Sequence, residues 1–179
     1  MKIDDIIKIL DGTLVAGGES DREVGAVVAN DLMSDVLLYD KNSDYEGKKK
    51  VQDVRRRLEI AENSENPVLV SIHMNYFAQT QYSGLQVWYS KNDARSKILA
   101  NLIQSNVKNS IQPSNKRVTK EATSSIFLLH NATFPAVLIE CGFLSNPNEA
   151  HALADAEYRQ KLASTIFESI MTYISQNNT

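Results

Sequence analysis

The chain has 179 residues, a single cysteine and a formal net charge of −3. That length suits one domain with a core of its own. One cysteine excludes an intrachain disulfide framework, and the slight acidity gives no electrostatic case for nucleic acid or an anionic membrane. No apolar run approaches the roughly 18 residues needed to cross a bilayer. The start, Met1-Lys2-Ile3-Asp4-Asp5, is acidic and amphipathic, and lacks the basic start and continuous apolar stretch of a signal peptide. As written, the sequence predicts a soluble, cytoplasmic chain with no membrane span.

In chain order, Ile3, Ile6, Ile7 and Leu10 fall at helical spacing and predict a short amphipathic helix that Gly12 ends. Residues 14–16, before Gly17-Gly18, and residues 24–28 read as short strands. Residues 36–39 form a short apolar strand, and the polar stretch 40–50 reads as a loop. Val51, Val54, Leu58 and Ala61 mark one face of a helix, broken at 63–66. Residues 67–72 predict a buried strand that ends at His73. A polar and aromatic loop follows over 74–83. The alternation of Leu85, Val87 and Tyr89 with Gln86 and Trp88 then predicts a half-buried strand.

Ile98, Leu99, Leu102, Ile103 and Val107 define the next helix. Residues 126–129 read as a strand, and residues 135–139 as another that ends at Glu140. The last helix, from about Tyr158, presents Leu162, Ile166, Phe167, Ile170 and Ile174 to a core. Strands alternating with helices imply an α/β sandwich with a mainly parallel sheet.

Two polar residues thus close apolar strands: His73 after Val-Leu-Val-Ser-Ile, and Glu140 after Ala-Val-Leu-Ile. In open α/β sheets, sites form outside the carboxyl ends of strands, so these two side chains can share one cleft. A neutral imidazole is a metal ligand and a carboxylate is a general base for water, a pairing that suits zinc hydrolysis. A histidine in that place also serves as a hydrogen-bonded structural residue. An isolated carboxylate after a buried strand is harder to explain structurally, because burying it without a partner is costly.

The surrounding residues carry a resemblance. Val70-Ser71-Ile72-His73-Met74-Asn75 resembles the Ser-Ile-His-x-Asn motif of zinc-dependent N-acetylmuramoyl-L-alanine amidases, and Ser83-Gly84-Leu85-Gln86-Val87-Trp88-Tyr89 resembles a strand of theirs. Pro135-Ala136-Val137-Leu138-Ile139-Glu140-Cys141-Gly142-Phe143-Leu144-Ser145-Asn146 is similar to their most diagnostic segment. Glu149-Ala150 and Tyr158-Arg159-Gln160-Lys161-Leu162-Ala163 continue the match. The helix from Lys48 to Leu58 resembles the spore-cortex branch.

The resemblance covers about residues 36–179. It implies a three-layer sandwich with a mainly parallel sheet of about six strands, acting on peptidoglycan or muropeptides at the cell wall. It makes His73 a zinc ligand, Glu140 the catalytic carboxylate and Asn75 a residue that orients the loop behind them. Asn146 caps the following turn and helix. Arg117 falls where the family often carries an arginine before a basic strand.

Two further ligands that the resemblance implies, a histidine in a Gly-His-Gly-Gly loop and a glutamate opening the next helix, have no motif here. The chain has three histidines, and none precedes His73. His130 follows the segment 126–129, and His151 falls on a surface helix. Glu19 and Glu23 are the nearest carboxylates to the missing glutamate, and they are also ordinary turn and edge-strand residues. The expectation is therefore weak or absent zinc and impaired hydrolysis.

Residues 1–37 instead resemble the opening of a DRTGG-type regulatory domain. The predicted organisation is a fragment of that type at 1–35, replacing the first strand and helix, packed as one domain with the amidase-like 36–179. A non-catalytic amidase-like binding or structural module, and a regulatory protein using the DRTGG-like piece, stand as alternatives. Cys141 follows Glu140 directly, so in a strand it faces the other way, into the core.

Overall fold

The computed structural model describes residues 45–177. The elements expected over 3–10, 14–16, 24–28 and 36–39, together with Glu19 and Glu23, lie outside the described residues. The first described helix, α1 (Tyr45–Glu62), takes in residues 45–50, which the sequence marked as loop. Lysine and glutamate are good helix formers, so the missing apolar stripe did not prevent a helix there. Behind it, Asn63 Nδ2 donates to the Glu59 carbonyl at 2.7 Å, and Asn66 takes a left-handed turn at φ 48°.

The chain then forms β1 (Leu69–Asn75), β2 (Gln86–Tyr89), α2 (Ala94–Ser110) and the two-residue β3 (Lys120–Glu121). It continues through α3 (Phe127–Asn131), β4 (Ala136–Phe143), α4 (Pro147–Ala154) and α5 (Ala156–Asn177). Asp93 starts α2 by accepting from the Arg95 amide at 2.8 Å. Asn146 caps α4, accepting from the amides of Asn148 and Glu149 at 3.0 and 3.3 Å, as the sequence indicated. Among the described residues no helix is long and apolar enough to cross a membrane.

The described strands form a four-stranded sheet in the order β1-β4-β2-β3. β1 runs parallel to β4, β2 antiparallel to β4, and β3 parallel to β2. The sheet is thus mixed rather than mainly parallel. The segment 126–129, expected as a strand, is the start of α3. Its apolar run Ile126-Phe127-Leu128-Leu129 is too short for periodicity to decide between helix and strand.

Alternation along the strands sorts side chains to two faces. Leu69, Ala136 and Leu138 pack with Val54, Leu58 and Ala61 of α1 and with Leu128 and Leu129 of α3. Val70, Val137, Ile139, Cys141 and Val87 pack with Leu99, Ile103 and Val107 of α2, Leu153 of α4, and Leu162 and Ile166 of α5. The result is the expected three-layer α/β sandwich. On α5 the buried positions include Ser169 and Tyr173, whereas Phe167, expected inside, is 36% exposed. Ser169 stays buried because its hydroxyl donates to the Thr165 carbonyl at 2.7 Å and accepts from Asn106 Nδ2 at 2.9 Å.

The short β3 leaves part of β2 without a neighbouring strand, and side-chain amides take its place. Gln104 of α2 accepts from the Val87 amide at 3.0 Å and donates to the Leu85 carbonyl at 2.9 Å. Gln112 accepts from the Leu85 amide at 2.8 Å, and Asn115 Nδ2 also reaches the Leu85 carbonyl at 2.9 Å. Replacing Gln104 by leucine keeps the volume but strands the buried Val87 amide. Gln104→Leu is expected to cost about 1–3 kcal/mol in urea unfolding with an unchanged m-value.

Cys141 sits on the α2/α5 face, 4% exposed. Burial, and then the neighbouring Glu140 charge, push its thiol from 9.0 up to about 12. Between those values the folded chain keeps a proton that the unfolded chain releases, so stability falls as pH rises from about 9. At pH 8 the native thiol should react with a disulfide reagent only as fast as the fold opens, and at once in denaturant. Rapid labelling of the folded chain would show that the strand does not bury it.

Candidate active site

β1 and β4 are in parallel register, with His73 opposite Glu140. On the other side of β4, Gln86 of β2 is opposite Glu140. Residues paired across neighbouring strands share a face, so His73, Glu140 and Gln86 form one row across the sheet. The row lies on the face that carries Leu69, Ala136 and Leu138, toward the carboxyl ends of β1 and β4. Neither His73 nor Glu140 terminates its strand as the sequence implied, since β1 continues to Asn75 and β4 to Phe143. The two residues meet by register rather than by proximity of strand ends.

The row is largely enclosed. His73 and Gln86 are buried, and Glu140 is half-buried. Ser71, two residues before His73 and so on the same face, places its hydroxyl 2.7 Å from His73 Nε2. That contact fixes the ring's orientation, as the outer hydrogen bond of a ligating or catalytic histidine does.

Gln86 accepts from Arg117 Nη1 at 3.0 Å and donates to the Val118 carbonyl at 2.9 Å. Arg117 is held further by its Nε, which donates to the Ser83 carbonyl at 2.6 Å. Its guanidinium carbon lies 4.5 Å from the Phe143 ring centre and 5.8 Å from that of Tyr82. A cation is thereby fixed one residue along the row from Glu140.

Loop 76–83 is tied down beside the row. The Phe77 amide donates to Ser145 Oγ at 3.2 Å, and Asn146 Nδ2 donates to the Tyr82 carbonyl at 3.2 Å. The Asn75 carbonyl accepts from the Leu144 amide at 2.8 Å, which extends the β1–β4 pairing past the row.

The carboxylate of Glu149 binds the Gly84 and Phe143 amides, both at 2.7 Å, and so clamps the start of β2 to the end of β4. Gly84 adopts φ +94°, and a Cβ there would lie 2.5 Å from Asn115 Oδ1. The position therefore demands glycine. His130 and His151 are exposed on α3 and α4, outside the row.

Sequence reasoning identified His73, Glu140 and Asn75 but assigned no part to Ser71, Gln86 or Glu149. The spacing of Ser71 and His73 was a readable signal. The pairing of Gln86 with Glu140 depends on a register that the sequence does not state.

A catalytic zinc takes three protein donors and leaves a position for water. Among the described residues no three His, Cys, Asp or Glu side chains come together as a metal site. His73 and Glu140 offer two donors, and using Glu140 as a ligand would remove the base. This described donor set does not fit a zinc centre by itself.

The sequence profile of the N-acetylmuramoyl-L-alanine amidase family Amidase_3 matches residues 22–172. The match begins at residue 22, inside the segment 1–35 that the sequence reading assigned to a DRTGG-type opening. The germination-specific N-acetylmuramoyl-L-alanine amidase of Bacillus subtilis is 32% identical over 87% of this chain, and the match spans 65% of that relative. The structure of the CwlD amidase from Clostridioides difficile, in complex with the GerS lipoprotein, superposes with a TM-score of 0.68 at 37% identity. That match covers 78% of this chain and 71% of the CwlD chain. An N-acetylmuramoyl-L-alanine amidase from Clostridium difficile 630 gives a TM-score of 0.61 at 29% identity, over 69% of this chain and 66% of that one. The chain belongs to the Amidase_3 family of N-acetylmuramoyl-L-alanine amidases.

Proposed function

We propose that this chain acts on the bond between N-acetylmuramic acid and L-alanine in peptidoglycan, with hydrolysis impaired by a short metal donor set. The observation that carries the reading is the register that sets Glu140 between His73 and Gln86 on one face. In this role the Glu140 carboxylate takes a proton from the attacking water and returns it to the leaving alanine nitrogen. Were zinc bound, His73, held by Ser71, would be one of its ligands, and the metal would supply Lewis acidity there. A full site requires donors beyond the described residues, and Glu19 and Glu23 are the candidates in this chain. The site of action is the cell wall, where the substrate lies.

The donor count favours a second reading, in which the module binds muropeptide without cleaving it. One set of measurements separates the two. The purified chain should hold zinc well below one equivalent, and His73→Ala should remove what is held. It should release stem peptide slowly. Glu140→Gln should abolish that release and leave muropeptide affinity within about threefold, since a base adds to the transition state rather than to ground-state binding. Binding with no release in either protein supports the binding module. Tight stoichiometric zinc overturns the impairment, and neither binding nor release overturns the amidase reading.

A further inference from the structure

A concavity lies beside the row and shares Arg117 with it. It has a volume of about 610 Å³ and lies between residues 81–84, residues 111–117, the start of α4 and Tyr158. Its charged lining residues are Lys116, Arg117 and Glu149. Both Glu149 oxygens already accept backbone amides, from Gly84 and Phe143, and are held away from a ligand. Two cations against this one carboxylate leave the lining net positive. The amino-terminal end of α4 contributes Asn146, Asn148 and Glu149 to the wall, so the positive end of the helix dipole adds to that sign.

The walls are built by internal contacts. Asn115 Oδ1 accepts from the Arg117 amide at 2.9 Å, and its Nδ2 donates to Gln112 Oε1 at 3.0 Å. Gln112 Nε2 donates to the Tyr158 hydroxyl at 2.8 Å. With its oxygen accepting there, that hydroxyl has its own proton to offer a ligand. Burial raises the Tyr158 pKa, which keeps the proton in place. Arg117 spends Nε and Nη1 on Ser83 and Gln86, and the planar guanidinium carries five N–H donors in all. The same residue that lines this cavity therefore bonds the glutamine paired with Glu140.

We propose that this cavity is a carboxylate-reading subsite for the peptide portion of the substrate. Arg117 and Lys116 supply the charge, and the Tyr158 hydroxyl supplies a neutral donor. The proposal rests on the amidase reading, because the link to the Glu140 row is what identifies the ligand as the peptide leaving that row. Arg117 and Gln86 then act as a ruler between the scissile bond and an acidic group further along the peptide.

The test is binding to the full chain, read by calorimetry or amide chemical shifts and independent of metal content. The probes are N-acetylmuramoyl-L-alanyl-glutamate and its fully amidated form. The acidic probe should bind about tenfold tighter, the scale of one charge-assisted hydrogen bond. Lys116→Gln, at an exposed side chain, should cut that ratio by about half or more, and Arg117→Gln should bring it close to one. His73→Ala should leave the ratio unchanged. A merely structural Arg117 would weaken both probes together and keep the ratio. Equal affinity for the two probes in the unsubstituted chain overturns the subsite while leaving the amidase reading in place. Failure of both probes to bind overturns the amidase reading, and the subsite with it.

Discussion

The parallel pairing of β1 with β4 is the constraint on which the rest of this structure depends. Both strands are buried on two faces, so their register is fixed twice, by the α1/α3 layer on one side and by the α2/α5 layer on the other. A slip of one residue would send Leu138 and Leu69 into the wrong layer. It would also move Glu140 off the face of His73. The hydrophobic pattern that stabilises the sandwich is thus the same pattern that aligns the polar row. No separate device is needed to bring the histidine and the carboxylate together.

The second principle is substitution of side chains for backbone where the sheet runs out. β3 has two residues, too few to pair the whole of β2. Gln104, Gln112 and Asn115 supply donors and acceptors to residues 85–87 instead. Glu149 does the same for Gly84 and Phe143. Buried amides without partners are expensive, so these four side chains settle where the loops can go. They bring residues 81–84 and 111–117 against α4. The concavity beside the site is a consequence of ending the sheet in this way.

Much of this was legible in the sequence, for identifiable reasons. The runs 67–72 and 135–139 are apolar and bounded by polar residues, and they became β1 and β4. The stripes of α2 and α5 were readable from their helical period, apart from Ile98 and Phe167, which fall at the edges of their stripes and are exposed. The family resemblance located His73 and Glu140. Three things were not legible. Residues 45–50 have no apolar stripe, yet they continue a helix whose stripe begins at Val51. Residues 126–129 form a run too short to display either period. Gln86 and Arg117 gain their place only when β2 is set antiparallel to β4, and an antiparallel neighbour within a sheet expected to be mainly parallel is a long-range fact with no local signal. The match over residues 22–172 likewise reaches further toward the start of the chain than the motifs alone suggested.

The row and the donor count together divide the site into two physical tasks. Polarising the scissile carbonyl requires a metal, and a metal requires three donors in one place. In the proposed reaction, moving a proton and holding the leaving peptide fall to Glu140 and to fixed polar groups on its face of the sheet. The described residues build the second task thoroughly: Ser71 orients His73, Gln86 is bonded on both ends of its amide, and Arg117 is bonded twice and stacked on Phe143. Ordering Arg and Gln side chains costs more rotamer entropy than ordering Leu or Ile in the same place. On the proposed reading, recognition and hydrolysis are therefore separable tasks, because no third donor joins His73 and Glu140 among the described residues. On that same reading, recognition draws on β1, β2, β4 and α4, and hydrolysis draws on donors outside the described residues.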